Sequence, residues 1–405
     1  MKKKILIVTP KFPYPPKGAC ELDRALGLEK FLELGYEVYL ITKIYDESIK
    51  ECVSFVSGRM GVTIVPVCYK YLSSTLSRAQ KWKKNLARII QPWYWDGAAY
   101  EYSEPEIQKE VKKALETFDP DLVWFDYTYL WPLYKIVKKK GIPIVTRSIN
   151  FEAMHFLEED GYSFFNYIKF LPKVITEYIV SKRSNIIFAI TPKEKKTYEK
   201  IGARKVVTLP LRGLPQCFEN QIYVVDRTPL NVFFFGSTYN VAHNRAALEF
   251  LLTKIIPEAQ KRFPGEFRFN IFGGKVPLEF NQYFRDEVIY HGHVPFEELS
   301  KILLKMDVGV TPSLYGAGMQ QKIFEPLCRG FATVTSSRGL ADYPFEHNKH
   351  LLLASTVEDF VDCLGQLRNP ELRRKLSDNA KKITHKLFSK EEITSILENS
   401  LKDIF

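Results

Sequence analysis

Two series of short, uninterrupted apolar runs, each run followed by a stretch with helical spacing, constrain this chain more than any other feature. Residues 5–9 (ILIVT) are the first such run, of the kind found in a strand buried on both faces, and residues 22–34 follow with helical spacing before Gly35. The next run occupies 38–42. Strand, loop, helix and strand in that order open a doubly wound parallel sheet, whose ligands bind beyond the carboxyl ends of its strands. Further strands are predicted at 62–67, 121–125, 143–146, 186–190 and 206–209, with helical stretches such as 105–117 between them. Pro210, Gly213, Pro215 and Pro229 then interrupt the pattern, so 1–210 reads as one domain and 211–229 as a linker. A second alternation follows: strands at 231–235, 267–272, 308–311, 332–335 and 350–354, and helices at 246–256, 296–304 and 320–327. Residues 230–385 form the second domain, and the helical end of the chain, 386–405, is expected to pack back on the first.

The length of 405 residues exceeds what one core usually organises, which agrees with two α/β domains. The 29 Phe and 22 Tyr can fill cores or line sugar sites. A formal charge of +11 points to an acidic partner: a phosphorylated substrate, an anionic lipid surface or nucleic acid. The six cysteines are scattered without a CxxC pair, which fits neither a zinc knuckle nor a disulfide framework. Behind the basic residues 2–4 the apolar run is too short for a secretory signal core, and no stretch approaches the roughly 20 apolar residues of a spanning helix. A cytoplasmic location is expected, with any membrane contact peripheral, at the inner face.

Residues 315–337 (YGAGMQQKIFEPLCRGFATVTSS) join a small-residue loop, a polar helix start and an apolar strand. Gly316 and Gly318 allow the backbone to turn tightly and bring N–H groups to an anion. A helix start presents unpaired N–H donors, so a diphosphate in front of Gly318, Met319 and Gln320 would be bound without a dedicated side chain. Lys322 adds a full charge, and Glu325, one turn on, can accept hydrogen bonds from a sugar diol. The same spacing is also met in an ordinary loop before a helix whose Lys and Glu form a solvated pair.

Between Arg78 and Trp95, the cations Arg78, Lys81, Lys83, Lys84 and Arg88 alternate with Trp82, Leu86, Ile89, Ile90 and Trp93, and no acid intervenes. Such a helix can lie on an anionic membrane surface or simply show a basic face to water. No recognised nucleic-acid module surrounds it, and no nucleic-acid partner is expected. Glu21, Asp23 and Arg24 follow the first strand's loop, where they can meet acceptor hydroxyls or merely open a solvated helix. Asn150 and Glu152 follow another strand end and are expected to be functional. His291 and His293 flank Gly292 without a third ligand nearby, so no metal is expected.

Two Rossmann-like halves with a Lys-x-x-Glu helix near the end of the second resemble the retaining glycosyltransferases of family 4, which have the GT-B fold. The stretches PPKGACELDR, FFFGSTYNVAHNRAALEFL and YHGHVPFEELSKILLKMDVGVTPS fit that resemblance, as does a GxQxKxxE signature formed by Gly318, Gln320, Lys322 and Glu325. The resemblance implies two domains facing each other across a cleft, a nucleotide-sugar donor held by the second and a saccharide or lipid-linked acceptor held by the first. It also implies transfer with retention and without a metal or other cofactor. Glu325 would hold the ribose, Gly318 and Met319 would face the diphosphate, and Gly236, Ser237, Thr238 and Tyr239 would line it from the other side, with Arg245 as a further contact. Lys322 would stabilise the leaving group; Arg147, Asn150 and Glu152 belong to a family stretch of the form Arg-Ser-His-Asn-x-Glu. Gly18, Glu21 and Arg24 would belong to the acceptor loop. The chain departs from the family pattern at Ala317, eight residues before Glu325, where a first glutamate is usual, and at Ile149, where the histidine would stand. His155, close by, can substitute for it or be structural. The alternative to an enzyme is a noncatalytic GT-B-like scaffold or binding protein.

Overall fold

The computed structural model describes residues 2–16, 18–69, 77–90, 95–220 and 222–404, which form two compact units. The first comprises Met1–Arg212 with Thr394–Phe405, and the second Gly213–Ile393. Each is built on one parallel sheet.

In the first unit the strands are β1 (Lys4–Thr9), β2 (Glu37–Ile44), β3 (Thr63–Cys68), β4 (Leu122–Phe125), β5 (Ile144–Ser148), β6 (Ile186–Ala189) and β7 (Val206–Thr208). They run in the order β3-β2-β1-β4-β5-β6-β7. Ile5 of β1 lies opposite Val38 on one side and Leu122 on the other, so the chain reverses its direction of winding between β1 and β4. In the second unit β8 (Leu230–Thr238), β9 (Phe267–Gly274), β10 (Val288–Gly292), β11 (Val308–Thr311), β12 (Ala332–Thr335) and β13 (Leu352–Leu353) give the order β10-β9-β8-β11-β12-β13. Here the reversal falls between β8 and β11. Loops at such a reversal diverge to opposite faces and leave a crevice at the carboxyl edge, which is where a ligand fits.

The apolar runs are strands because both faces are covered. Leu6, Val8, Val123, Phe125, Ile187 and Ala189 are buried together in the first core, and Val232, Phe234, Phe269, Ile271, Val308 and Val310 in the second. Helix Pro105–Thr117 shows how the layers attach: Pro105 occupies its first turn, and Ile107, Val111, Ala114 and Leu115 form one buried stripe. Each large apolar side chain so buried contributes about 1.5–3 kcal/mol.

Several elements differ from the sequence expectation. Strand β10 was not predicted, because its run is broken by polar residues and only Val288 in it is fully buried. Helices Ile49–Met60, Glu152–Asp160, Phe164–Arg183 and Pro192–Lys200 are additional. The helix expected at 246–256 runs from Ala242 to Arg262 through a π turn at Leu251–Ile255, just before Pro257, whose ring and missing N–H disturb the preceding turn. The terminal helical stretch is three helices, Val357–Gln366, Pro370–Phe388 and Lys390–Leu401, parted at Asn369 and Ser389. From Gly213 the stretch read as a linker is fastened to the second unit: the Ile222 amide donates to the Arg329 carbonyl and Arg373 to the Val225 carbonyl. The last residues are fastened to the first, where Lys205 Nζ lies 2.6 Å from Asp403 Oδ2.

Candidate functional site

In the second unit the loops after β8 and β11 meet at the point of reversal. The second loop turns at Gly316 (φ 106°) and Gly318 (φ 75°), both in the left-handed region where a side chain is strained. It ends at Gln320, which precedes helix Gln321–Arg329 and supplies no side-chain cap, so the first N–H groups of the helix face the loop. Gln320 instead braces the loop: its Oε1 accepts from Ser313 Oγ (3.2 Å) and its Nε2 donates to the Tyr315 carbonyl (3.4 Å).

Lys322 is buried on that helix, and its Nζ donates to Asn244 Oδ1 at 2.8 Å. Asn244 in turn donates from Nδ2 to the Thr238 carbonyl (2.9 Å), so one amide ties the lysine to the end of β8. Glu325 is buried as well. Its Oε1 accepts from Arg329 Nε (3.0 Å) and Nη2 (2.8 Å), and its Oε2 from Gln321 Nε2 (2.9 Å). Arg329 also reaches Ser300 Oγ (3.3 Å). The site helix therefore carries a fixed cation and a fixed carboxylate rather than the solvated pair that spacing alone allows.

The expected lining after β8 divides. Gly236 packs against Tyr239 and Asn244, Ser237 is exposed, and Thr238 Oγ1 donates to Asn240 Oδ1. Tyr239 is a correction: it is fully buried with its hydroxyl on the Phe272 carbonyl (2.7 Å), so the side chain holds the turn and cannot touch a ligand. Arg245 is exposed and paired with Glu279 (2.7 Å). Met319 is 8% exposed, and its contribution at the loop is backbone and apolar contact. Asn244 and Arg329 were missed from sequence. Asn244 lies inside a quoted stretch, but its partner is 78 positions away, and no local spacing connects them.

In the first unit the reversal lies between β1 and β4, and a cavity of about 160 Å³ opens beside the β1 loop, lined by Lys11, Phe12, Tyr14, Glu21, Lys43 and Tyr45. Glu21 pairs with Lys11 at 2.9 Å. Lys43 is buried against Glu104. Lys17, in the same loop, lies outside the described residues. Gly18 has an extended backbone (φ −165°) that any residue adopts; it precedes helix Ala19–Glu33. The buried Arg24 guanidinium lies over the Tyr127 ring, 5.6 Å from its centroid.

Arg147 is a second correction. It is fully buried, 3.3 Å from both Asp23 oxygens, and donates to the Leu209 and Pro210 carbonyls. Arg212 completes the cluster with a 2.7 Å ion pair to Asp23. Burial alone would raise the Asp23 carboxyl, but the two guanidinium groups outweigh it and hold it well below the usual carboxylate range. Arg147 is thus a pin across the sheet's carboxyl edge rather than an acceptor contact.

At the end of β5, Ile149 is buried, and Ser148 Oγ donates to the Asn150 carbonyl at 2.8 Å. Glu152 is buried and accepts from both Tyr127 and Tyr129 hydroxyls, while its amide donates to Glu177 Oε1 (2.8 Å). The Phe151 amide donates to Glu194 Oε1 (2.8 Å). Burial, reinforced by the nearby Glu152 charge, pushes the carboxyls of Glu177 and Glu194 up to about 8 each. Three carboxyl groups therefore surround residues 151 and 152, two of them built to stay protonated. His155 follows on helix Glu152–Asp160, with its Nδ1 enclosed and without a hydrogen-bond partner among the described residues. His291 Nε2 is 2.9 Å from Asn270 Oδ1 and its ring stacks on Phe272. Among the described residues no group of three or more His, Cys, Asp or Glu is arranged to hold a metal ion.

Comparison with known proteins places this geometry. Residues 229–369, the greater part of the second unit, match the family model described as Glycosyl transferases group 1. Over its whole length the chain superposes on sucrose-phosphate synthase from Thermosynechococcus elongatus with a TM-score of 0.69 at 14% identity, covering 100% of this chain and 99% of that one. The chain has the GT-B fold. The Anabaena protein HepE, solved in complex with UDP, gives a TM-score of 0.65 at 12% identity with both chains fully covered. TarM gives 0.67 at 11% identity, covering 100% and 99%. No curated protein sequence matches. In the second unit of this GT-B fold the Lys322–Asn244 bridge and the start of helix Gln321–Arg329 lie at the carboxyl edge of the sheet, where the switch-point rule puts the ligand.

Proposed function

We propose that the protein moves a sugar from a nucleotide-sugar donor to a saccharide or lipid-linked saccharide acceptor, retaining the anomeric configuration and using no metal. The observation that carries this reading is the buried Lys322, held by Asn244 beside an uncapped helix start and one turn from a carboxylate fixed by Arg329. As the sugar–oxygen bond to the diphosphate breaks, negative charge grows on the departing phosphate. Lys322 and the N–H groups around Gly318, Met319 and Gln320 meet that charge without reorganising, and each such donor is worth about 3–4 kcal/mol of barrier. Glu325 receives the ribose hydroxyls. The HepE complexes contain UDP and UDP-glucose, which makes a uridine nucleotide the first donor to try. The first unit supplies the acceptor side through the β1 loop with Gly18, Glu21 and Arg24, and through Asn150 and Glu152. The setting is cytoplasmic, at the inner face of a membrane, with helix Arg78–Ile90 and Trp95 towards the lipid; Trp93, between them in sequence, lies outside the described residues.

Thermal unfolding with UDP, GDP, ADP and their sugar conjugates tests the donor assignment, comparing the wild type with Glu325→Gln. Glutamine keeps an acceptor for Arg329, so the buried guanidinium is not stranded. A ligand present at about 100 times its Kd adds roughly 2.7 kcal/mol of stability. The expected result is a shift with one nucleotide family that shrinks in the variant; an equal shift in both proteins refutes the role of Glu325. A noncatalytic scaffold is the second reading, motivated by Ile149 and Ala317, and it predicts nucleotide binding or none, but no turnover with any donor.

A further inference from the structure

Helix Phe164–Arg183 presents its apolar side to water. Phe164, Ile168, Leu171, Ile175 and Tyr178 recur at three- and four-residue intervals and are 43–75% exposed, with Phe165 and Tyr167 beside them. The opposite side, with Pro172, Thr176, Glu177, Val180 and Ser181, is buried in the first unit. An apolar stripe of this length on a 20-residue helix is far from the scattered exposed hydrophobics of an ordinary surface.

The charges on the helix indicate what covers the stripe. Its only acid, Glu177, is fully buried and bound to Tyr198 and the Glu152 amide. Every exposed side chain on it that is charged at neutral pH is a cation: Lys169, Lys182 and Arg183. A second copy of the same helix would bring no carboxylate to meet these cations. An anionic lipid surface supplies phosphates at the edge of the stripe and acyl chains beneath it, and long cationic side chains reach headgroups while their stems lie on apolar surface. Two further features of the same unit agree. Lys173 pairs with Asp96 at 3.4 Å, which sets the exposed Trp95 next to this helix along the chain. Helix Arg78–Ile90 likewise exposes Trp82, Leu86 and Ile90 among its cations.

We infer that helix Phe164–Arg183 is an interfacial helix that seats the first unit on an anionic bilayer. It lies in the plane of the headgroups with Phe164, Ile168, Leu171, Ile175 and Tyr178 inserted and Lys169, Lys182 and Arg183 against phosphates. This inference stands apart from the donor site: it requires no sugar transfer, and none of these residues is in the nucleotide-binding machinery. Among the described residues no helix is long and apolar enough to cross a membrane, so the contact is one of lying on the surface.

The test is sedimentation of the full chain with vesicles of phosphatidylcholine alone or with 30% phosphatidylglycerol added (about that fraction suffices for a negative surface). The wild type is expected to sediment with the anionic vesicles and much less with the neutral ones. The variant Phe164→Ser, Leu171→Ser, Tyr178→Ser should lose binding by on the order of tenfold or more, while its thermal unfolding stays near that of the wild type because all three side chains are exposed. A companion variant, Trp82→Ser with Ile90→Ser, separates the two helices. Equal sedimentation of the wild type and the triple variant overturns the inference, as does absence of binding to anionic vesicles. So does a wild-type dimer that the triple variant dissolves while neither protein sediments, which would make the stripe a contact between copies.

Discussion

Glu177→Gln tests whether the first unit is built around protonated carboxyl groups. Glu177 is fully buried, accepts from the Glu152 amide (2.8 Å) and from Tyr198 (2.6 Å), and is pushed up from 4.5 to about 8 by burial and then by the Glu152 charge. In the unfolded chain the group ionises near its ordinary value. Between about pH 4.5 and 8 the folded state therefore holds a proton that the unfolded state has released. Stability falls as pH rises through that window, by about 1.4 kcal/mol per unit for each such group, and levels off above it. Over the window Glu177 accounts for a loss on the order of 5 kcal/mol, and Glu194, pushed up to about 8 by the same desolvation, contributes in the same direction. Glutamine has the shape of the protonated acid and no charge to lose. The variant should match the wild type near pH 5 and exceed it by a few kcal/mol near pH 8. Trp82, Trp95, Trp124 and Trp131 lie in the first unit, and the fifth tryptophan of the sequence, at 93, falls within the same sequence range, so intrinsic fluorescence in urea titrations reports on that unit. Parallel stability curves for the two proteins from pH 5 to 8 would refute the reasoning.

Two other substitutions probe the remaining clusters. Asp23→Ala removes the carboxylate that buried Arg147 meets at 3.3 Å and Arg212 at 2.7 Å; it should destabilise the first unit by about 3–5 kcal/mol in the same fluorescence assay, and a loss below about 1 kcal/mol would contradict the pin. Lys322→Met keeps the length of the side chain without its charge and should lower turnover 100- to 1,000-fold (about the effect of losing one oriented donor) while unfolding changes little; turnover within twofold of the wild type would remove Lys322 from the leaving-group role.

The parts of the fold visible in the amino-acid sequence are those fixed by local composition. A strand covered on both faces must be apolar at successive positions, so β1, β11 and β12 are evident from their own residues. The loop and helix start at 316–325 are equally local, since two residues in the left-handed region demand glycine and a site helix must begin where the loop ends. Helix Phe164–Arg183 shows the limit. Its apolar periodicity reads as a buried face, and only the folded unit reveals that the periodic side points outward while a glutamate and a threonine face the core. Glu177 and Glu194 come from two separate helices, and their protonation exists only once the fold excludes water from both. Likewise Lys322 and Arg147 look alike in sequence as cations near strand ends. The tertiary structure separates them by what each meets: a neutral amide at the mouth of a loop for Lys322, and a buried carboxylate with two backbone carbonyls for Arg147. Partners so distant along the chain leave no spacing to read, because what joins them is the sheet order and not the local pattern.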